Sequence, residues 1–447
     1  MSKAYVVIHV ATTCDEHGVY VTKDSAEVIE LAWIILNSET LEKINQGQVL
    51  VRPVNTPITA LCTSLTTLTW DQVCNAGAFR DAVAKVDHVV QEFLISKGIE
   101  FTFVVYNSWD LRVQLPREAR DKAVILPPYL QHARVFDLRT EYYRWQAYHP
   151  ESLTYSSSSL PNICAALEVE PVQSSAGPIK HNLPFHLQSL APATPRRAME
   201  EVITLSRILF SLIKKSQPLD QHPNVLTRPL DARADVRAFL AERSKVLHLS
   251  KLPHDTTQSE LESWFTHYGG RPIAFWTLRT PDQHKPTGTG FAVFSSHEEA
   301  AESLAMNGRA INERAIEVSP SSSRVLDHAQ DILTPFPLSK NRPRPGDWTC
   351  PACGFSNFQR RTACFRCGYP ASSNNSNSHH NNNGSGNPTV NSNHSINNNQ
   401  SGPRHNGGVV PFRAGDWRCG NEGCSYHNFA KNICCLKCGA SRGIAAV

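Results

Sequence analysis

The sequence predicts a multidomain chain: an α/β domain over residues 1–215, an α+β domain over 243–320, and small four-cysteine modules over 343–370 and 413–442. Three observations carry that division. In the first part, buried-strand patterns (VVIHVA, VIELAWIILN, FTFVVY) alternate with helical ones such as 79–97. The second part follows a strand–helix–strand–strand–helix–strand order. Near the end, two stretches repeat one another, each with Gly-Asp-Trp, a cysteine pair, Asn-Phe and a second cysteine pair closing on Gly. Residues 216–242 and 321–342 read as polar, proline-bearing linkers, and 371–412 as a disordered, Asn-rich one.

Hydrophobic residues at 40% and charged residues at 19% of a 447-residue chain fit several globular domains. With no signal-like N-terminal segment and no apolar run of 18 residues, neither secretion nor a membrane span is expected. Eight of the 13 cysteines fall in the repeated modules; Cys14, Cys62, Cys74, Cys164 and Cys434 form no disulfide framework, as in a reducing compartment. The net charge is only +4, but residues 340–447 hold 12 Lys/Arg against three Asp/Glu, a basic tail compatible with an anionic partner.

In the first domain, PVNTPITALCTSLTTLTWDQV (53–73), AWIILN before it and NSWDLR (107–112) stand in a telling order. They resemble the exonuclease-type, ribonuclease-H-like domain of 3′-to-5′ RNA exonucleases. The resemblance implies four carboxylates holding two metal ions, with a histidine to activate water. Laying IHVATTC (8–14) on that family's Asp-Phe-Glu-Ala-Thr-Cys puts His9 and Ala11 at the first two carboxylates. Asp110 matches the third. No aspartate lies between Asp137 and Asp220, where the fourth belongs; His181 or His186 falls in the general-base region and Arg197 near the missing aspartate. The expectation is a pseudo-exonuclease without catalytic residues, His9 being an ordinary half-buried histidine. The old cleft remains open to an RNA end or a protein partner. An active 3′–5′ RNA exonuclease is the alternative.

In the second domain, VLHLS is the first strand, and Thr257 with Glu260 three positions on forms a capping box that starts a helix. IAFWTLR and GFAVF make the central strands, HEEAAESLAMNG the second helix and AIEVS the last strand. This plan resembles the RNA recognition motif, an α+β ferredoxin-like fold whose sheet stacks bases on aromatics. On that resemblance TGTGFAVF (287–294) offers Phe291 to RNA and LHLSKL (247–252) offers His248, with Phe294 in the core. Lys251, Arg279 and Lys285 are candidate phosphate contacts. A protein-contact version of the fold is the alternative.

The repeated modules carry Cys350, Cys353, Cys364 and Cys367, then Cys419, Cys424, Cys435 and Cys438. Four thiolates from two short loops suit a tetrahedral structural Zn2+, so two ions are expected. Each module spans about 30 residues, too few for a self-sufficient core, so metal must supply the folding free energy. Both resemble zinc-ribbon-like fingers of the Ran-binding-protein-2 type, in the subgroup that binds single-stranded RNA. That resemblance assigns RNA contacts to Asp347, Asn357, Phe358, Arg360 and Arg361 in the first finger, with Trp348 packing under the zinc loops. In the second it assigns them to Asp416, Asn428, Phe429 and Lys431. Asn432 replaces an arginine there, so the first finger is expected to be the main reader. A guanidinium fork matches the O6/N7 acceptors of guanine, and an exposed ring stacks on unpaired bases. Ubiquitin or another protein is the rival ligand of such fingers, but Gly354-Phe355 and Ser425-Tyr426 do not match its Thr-Phe pair.

Residues 371–408 hold 13 asparagines and a single charged residue, Arg404. The segment is either a flexible spacer or a self-association tract. The whole combination resembles the fungal asparagine-rich RNA-binding proteins, which are associated with cytoplasmic stress granules. The expectation is a non-enzymatic cytoplasmic ribonucleoprotein component that binds single-stranded RNA, probed at guanine-containing sites, with no membrane partner.

Overall fold

The computed structural model describes residues 3–155, 158–174, 196–280 and 285–337. In the cysteine-rich modules it describes 348–349, 356–357, 361–363, 369–370, 417–419, 424, 427–428 and 435. Residues 1–373 form one compact unit and 374–447 another.

The chain opens with β1 (Ala4–Thr12), β2 (Val28–Asn37) and β3 (Lys43–Leu50). Three helices follow, α1 (Ala60–Thr66), α2 (Trp70–Val73) and α3 (Phe79–Phe93). Then come β4 (Phe101–Val105), α4 (Leu115–Asp121), α5 (Pro128–Gln131), β5 (Arg134–Asp137), α6 (Leu138–Gln146), α7 (Leu160–Ala166) and α8 (Ala198–Lys215). With β6 (Leu230–Asp231) the strands form a six-stranded sheet in the order β3-β2-β1-β4-β5-β6. β1 pairs antiparallel with β2 and parallel with β4. Nine of the ten β2 residues are buried, because helices cover both faces of the sheet: α3 and α4 on one, α6, α7 and α8 on the other. Helix α8 buries Val202, Leu205, Ile208, Leu209 and Leu212, a helical stripe, and sets Glu200 and Glu201 in its first turn against Lys214 and Lys215 in its last. Edge strand β3 must carry Gly47 where it faces Trp33, since a Cβ there would lie 2.4 Å from the indole.

The second domain comprises α9 (Ala232–Ala241), β7 (Val246–Ser250), α10 (Gln258–His267), β8 (Ala274–Arg279), β9 (Pro286–Val293) and α11 (His297–Ser303). It ends with β10 (Ala310–Ile311), β11 (Arg314–Ala315), β12 (Glu317–Pro320), α12 (Ser323–His328) and β13 (Leu333–Pro335). Its sheet runs β12-β7-β9-β8-β13. The capping box forms as expected: the Thr257 amide donates to Glu260 at 2.9 Å and the Glu260 amide to Thr257 Oγ1 at 3.3 Å. Leu247, Leu249, Phe275, Ala292 and Phe294 face the helices and make the core with Leu261 and Phe265.

Neither expected linker is one within its described residues. In 216–242, β6 extends the first sheet by pairing with β5, and α9 sends Phe239, 2% exposed, into the second domain's core. In 321–337, β13 pairs with β8 and Phe336, 6% exposed, closes the same core. These additions are two or three strand residues and one anchoring ring each, too short to raise a periodic signal above a polar, proline-bearing background.

The two domains clasp through polar contacts. Arg112 meets Glu317 at 2.7 Å, the Asn307 amide donates to the Arg112 carbonyl at 2.8 Å, and Arg120 donates to the Asn307 carbonyl at 3.0 Å. Arg309 pairs with Asp121 at 2.8 Å, and the Ala310 amide donates to Asp24 at 3.2 Å. Gly308 (φ +87°) permits the approach: a Cβ there would press on the Arg117 side chain at 3.0–3.2 Å. Among the described residues no helix is long and apolar enough to cross a membrane.

In the cysteine modules β14 (Trp348–Thr349) pairs with β15 (Ser356–Asn357), and β16 (Trp417–Arg418) with β17 (His427–Asn428). The registers Trp348↔Asn357 and Trp417↔Asn428 coincide, as the sequence repeat requires.

Candidate nucleic-acid interface

The centre of the first domain is a cleft at the ends of β1 and β4. His9 lies opposite Ala32 and Ala11 opposite Glu30 across the β1–β2 pair. His9 Nδ1 stands 3.9 Å from the Asp110 carboxylate, which follows β4. Burial holds the imidazole down to about 4, against a smaller upward pull from Glu30, so it is neutral at pH 7. Burial pushes Asp110 up to about 7, only partly offset by the Val10 amide and Lys251. Glu30, which the sequence reading passed over inside an apolar strand, is 0% exposed. Arg197, at the head of α8, grips it through Nε at 3.0 and 3.1 Å, and the Ala198 amide donates to it at 2.8 Å. Thus a guanidinium fixed in the protein neutralises the carboxylate nearest Ala11. Asp137 is occupied as well, accepting the Ser108 amide at 2.7 Å and capping α6 through Thr140. His181 and His186 lie outside the described residues.

The second domain departs from its expected binding face. Phe291 is 3% exposed, its ring beside His248 at a centroid distance of 5.4 Å and its backbone paired with His248 and Trp276. A ring sealed to that degree has no face left for a base. His248 is half-buried, 3.3 Å from Ser319 Oγ, and burial lowers its pKa. Arg279, a candidate phosphate contact, donates to Thr334 of the added strand β13 at 2.8 Å. The reason is tertiary: the segment after β12 runs from one edge of the sheet to the other, where β13 pairs. Lys251 and Lys285 stay exposed. Lys251 adopts φ +64° and sets Nζ 4.0 Å from the ring centre of Trp109, a residue of the first domain.

In the second finger the thiolate ligands of Cys419, Cys424 and Cys435 all lie within 4.8 Å of one another. Cys424 and Cys435 sulfurs are 3.7 Å apart. A tetrahedron with Zn–S bonds of about 2.3 Å has S···S edges of about 3.8 Å, so this spacing fits zinc. Cys438, Cys350, Cys353, Cys364 and Cys367 lie outside the described residues, as do Asp347, Phe358, Arg360, Asp416, Phe429 and Lys431. Trp348 Nε1 donates to the Arg361 carbonyl at 3.0 Å, so the indole braces the strand that carries the exposed Arg361. Asn428 corrects the expected contacts: it is 0% exposed opposite Trp417, and a fully buried amide does not reach RNA. The Asn357 side chain is not among those described.

An exonuclease fold whose cleft is internally neutralised, clasped to an RNA recognition motif and followed by zinc ribbons, defines the class of protein. Family models agree: the exonuclease model matches residues 6–181, the RNA recognition motif 247–317, and the zinc finger found in Ran binding protein and others 344–373 and 413–444. A Schizosaccharomyces pombe relative, the RNA-binding protein involved in heterochromatin assembly dri1, is 42% identical over 483 residues, covering 99% of this chain and 77% of its own. The chain belongs to this family of fungal RNA-binding proteins. A Saccharomyces cerevisiae relative, provisionally described in the same terms, is 39% identical over 79% of this chain and 51% of its own. Human 3′-5′ exoribonuclease 1 is 31% identical over 104 residues, 23% of this chain and 30% of that protein.

Proposed function

We propose that this protein is a non-enzymatic, single-stranded RNA-binding protein that acts, like its fission-yeast relative, in heterochromatin assembly. One observation carries the non-enzymatic part. The cleft that in an exonuclease gathers four carboxylates around two cations has His9 and Ala11 at the first two positions and Arg197 locked onto Glu30. Two divalent ions need that negative charge to replace their hydration. Here a fixed internal cation already takes it up. Both fingers hold one structural Zn2+, and Arg360 and Arg361 of the first read guanine. Weak modules on one chain gain affinity because later contacts are intramolecular.

The relative's description favours action in the nucleus at chromatin, whereas the Asn-rich tract favours cytoplasmic granules through self-association; imaging the tagged chain with and without residues 371–412 separates them. For the function itself, purified zinc-loaded protein is incubated with 5′-labelled single-stranded RNA in Mg2+ or Mn2+. The expected result is a shifted but intact RNA. Stepwise 3′ shortening abolished by Asp110→Asn would reinstate an enzyme, and an absence of any RNA complex would leave the fingers to ubiquitin or another protein.

A further inference from the structure

Where the two domains meet, a groove of about 680 Å3 runs between the 22–25 turn and Trp109 on one side and β7, β9 and β11 on the other. Its lining holds Lys23, Lys251, Arg314 and His254 and no carboxylate. Lys23 and Arg314 are exposed. Among the described residues neither has an ion-pair partner, although most other cations around the clasp do. At Trp109 and Lys23 the groove adjoins the remnant nuclease cleft, a further cavity of about 490 Å3 where Asp15, Glu16 and Asp110 supply negative charge. The basic stretch therefore has a defined end.

Neither domain makes this groove alone. Asp24 accepts the Ala310 amide and so brings the Lys23 turn to the β10–β11 hairpin that carries Arg314. Lys251 is held in the left-handed region, which costs a non-glycine residue about 1–2 kcal/mol, and this conformation aims its ammonium at the half-exposed Trp109. Strained backbone retained next to an unpaired charge cluster marks a site rather than a packing need.

We propose that this inter-domain groove, through Lys23, Trp109, Lys251, His254 and Arg314, binds a stretch of single-stranded RNA. The cations track phosphates and the indole edge receives a base, the pairing of charge and ring on which unstructured nucleic acid depends. It takes over from the sheet face that Phe291 cannot offer. The proposal rests on the RNA-binding reading above, but places a contact surface where neither the zinc ribbons nor the usual sheet aromatics lie.

The test uses the full zinc-loaded chain and a single-stranded RNA carrying 4-thiouridine, with wild type, Lys23→Glu/Arg314→Glu and Arg360→Ala/Arg361→Ala compared after equal thermal melts are verified. Wild type is expected to cross-link at Trp109 and around 251–254. The groove variant should lose those cross-links and bind about tenfold more weakly at 0.15 M salt, with the log–log salt slope flattened by about 1.4 for two lost phosphate contacts. The finger variant should keep them. Wild-type binding with cross-links confined to the fingers, and unchanged affinity in the groove variant, overturns the proposal while RNA binding stands, and leaves the groove to a protein partner. No RNA binding by wild type overturns both. Should the double variant melt early, Lys251→Ala provides the same readings.

Discussion

Replacing Arg197 by methionine tests the internal neutralisation of the cleft. The Glu30 side chain is 1% exposed and its oxygens accept from Arg197 and the Ala198 amide. Removing the guanidinium leaves a buried carboxylate with one amide donor. Breaking a buried pair from one side costs about 3–5 kcal/mol. Arg197 is itself 25% exposed, so water can reach the vacated space, and the lower end, about 3 kcal/mol, is expected. For a domain of this size that lowers the melting midpoint by roughly 6–12 °C. The assay is urea and thermal denaturation of the α/β domain's transition at pH 7, followed by far-ultraviolet circular dichroism. Glu30→Gln/Arg197→Met is the control, since it removes the charge together with its partner; it should recover most of the loss. A single variant within about 1 kcal/mol of wild type would refute the argument, as would a double variant no better than the single. Either result would mean that Glu30 is not held as an ion by Arg197, and the case for a cleft emptied of metal-binding charge would lose its main support.

Two further outcomes follow from the same geometry. Asp110 is held up at about 7 in the folded protein against 3.8 for an ordinary aspartate, so the folded state keeps a proton that the unfolded state releases. Stability from this group is full below pH about 4 and is lost as pH rises through about 7. Asp110→Asn should therefore flatten the pH dependence of denaturation between those limits and be more stable than wild type at pH 8, by up to about 3 kcal/mol. Cys435→Ser removes a buried thiolate from the second finger, so zinc released per chain, measured with a colorimetric chelator, should fall from two ions to one, and trypsin should cut within 413–442 first.

Much of this molecule is legible in its sequence because the signals are local. The apolar run of β2, the Thr257–Glu260 capping box and the paired cysteine spacings each reflect interactions within a few residues, and the corresponding elements stand where expected. The loss of the first two cleft carboxylates is likewise a matter of residue identity at His9 and Ala11. What the sequence could not hold was anything made by residues far apart in the chain. Glu30 and Arg197 are 167 positions apart, Arg112 and Glu317 are 205 apart, and Asp24 and Ala310 are 286 apart. Such pairs leave no periodicity, because each residue alone looks like an ordinary surface charge or a stray acid in a strand. The same holds for Phe291, whose motif position suggests an open ring; whether it is open depends on where the chain goes after β12. Residue chemistry determined which parts this protein has and which catalytic groups it lacks. Only the tertiary structure decided which faces are closed, which charges are already paired, and that the unpaired ones line a groove between two domains.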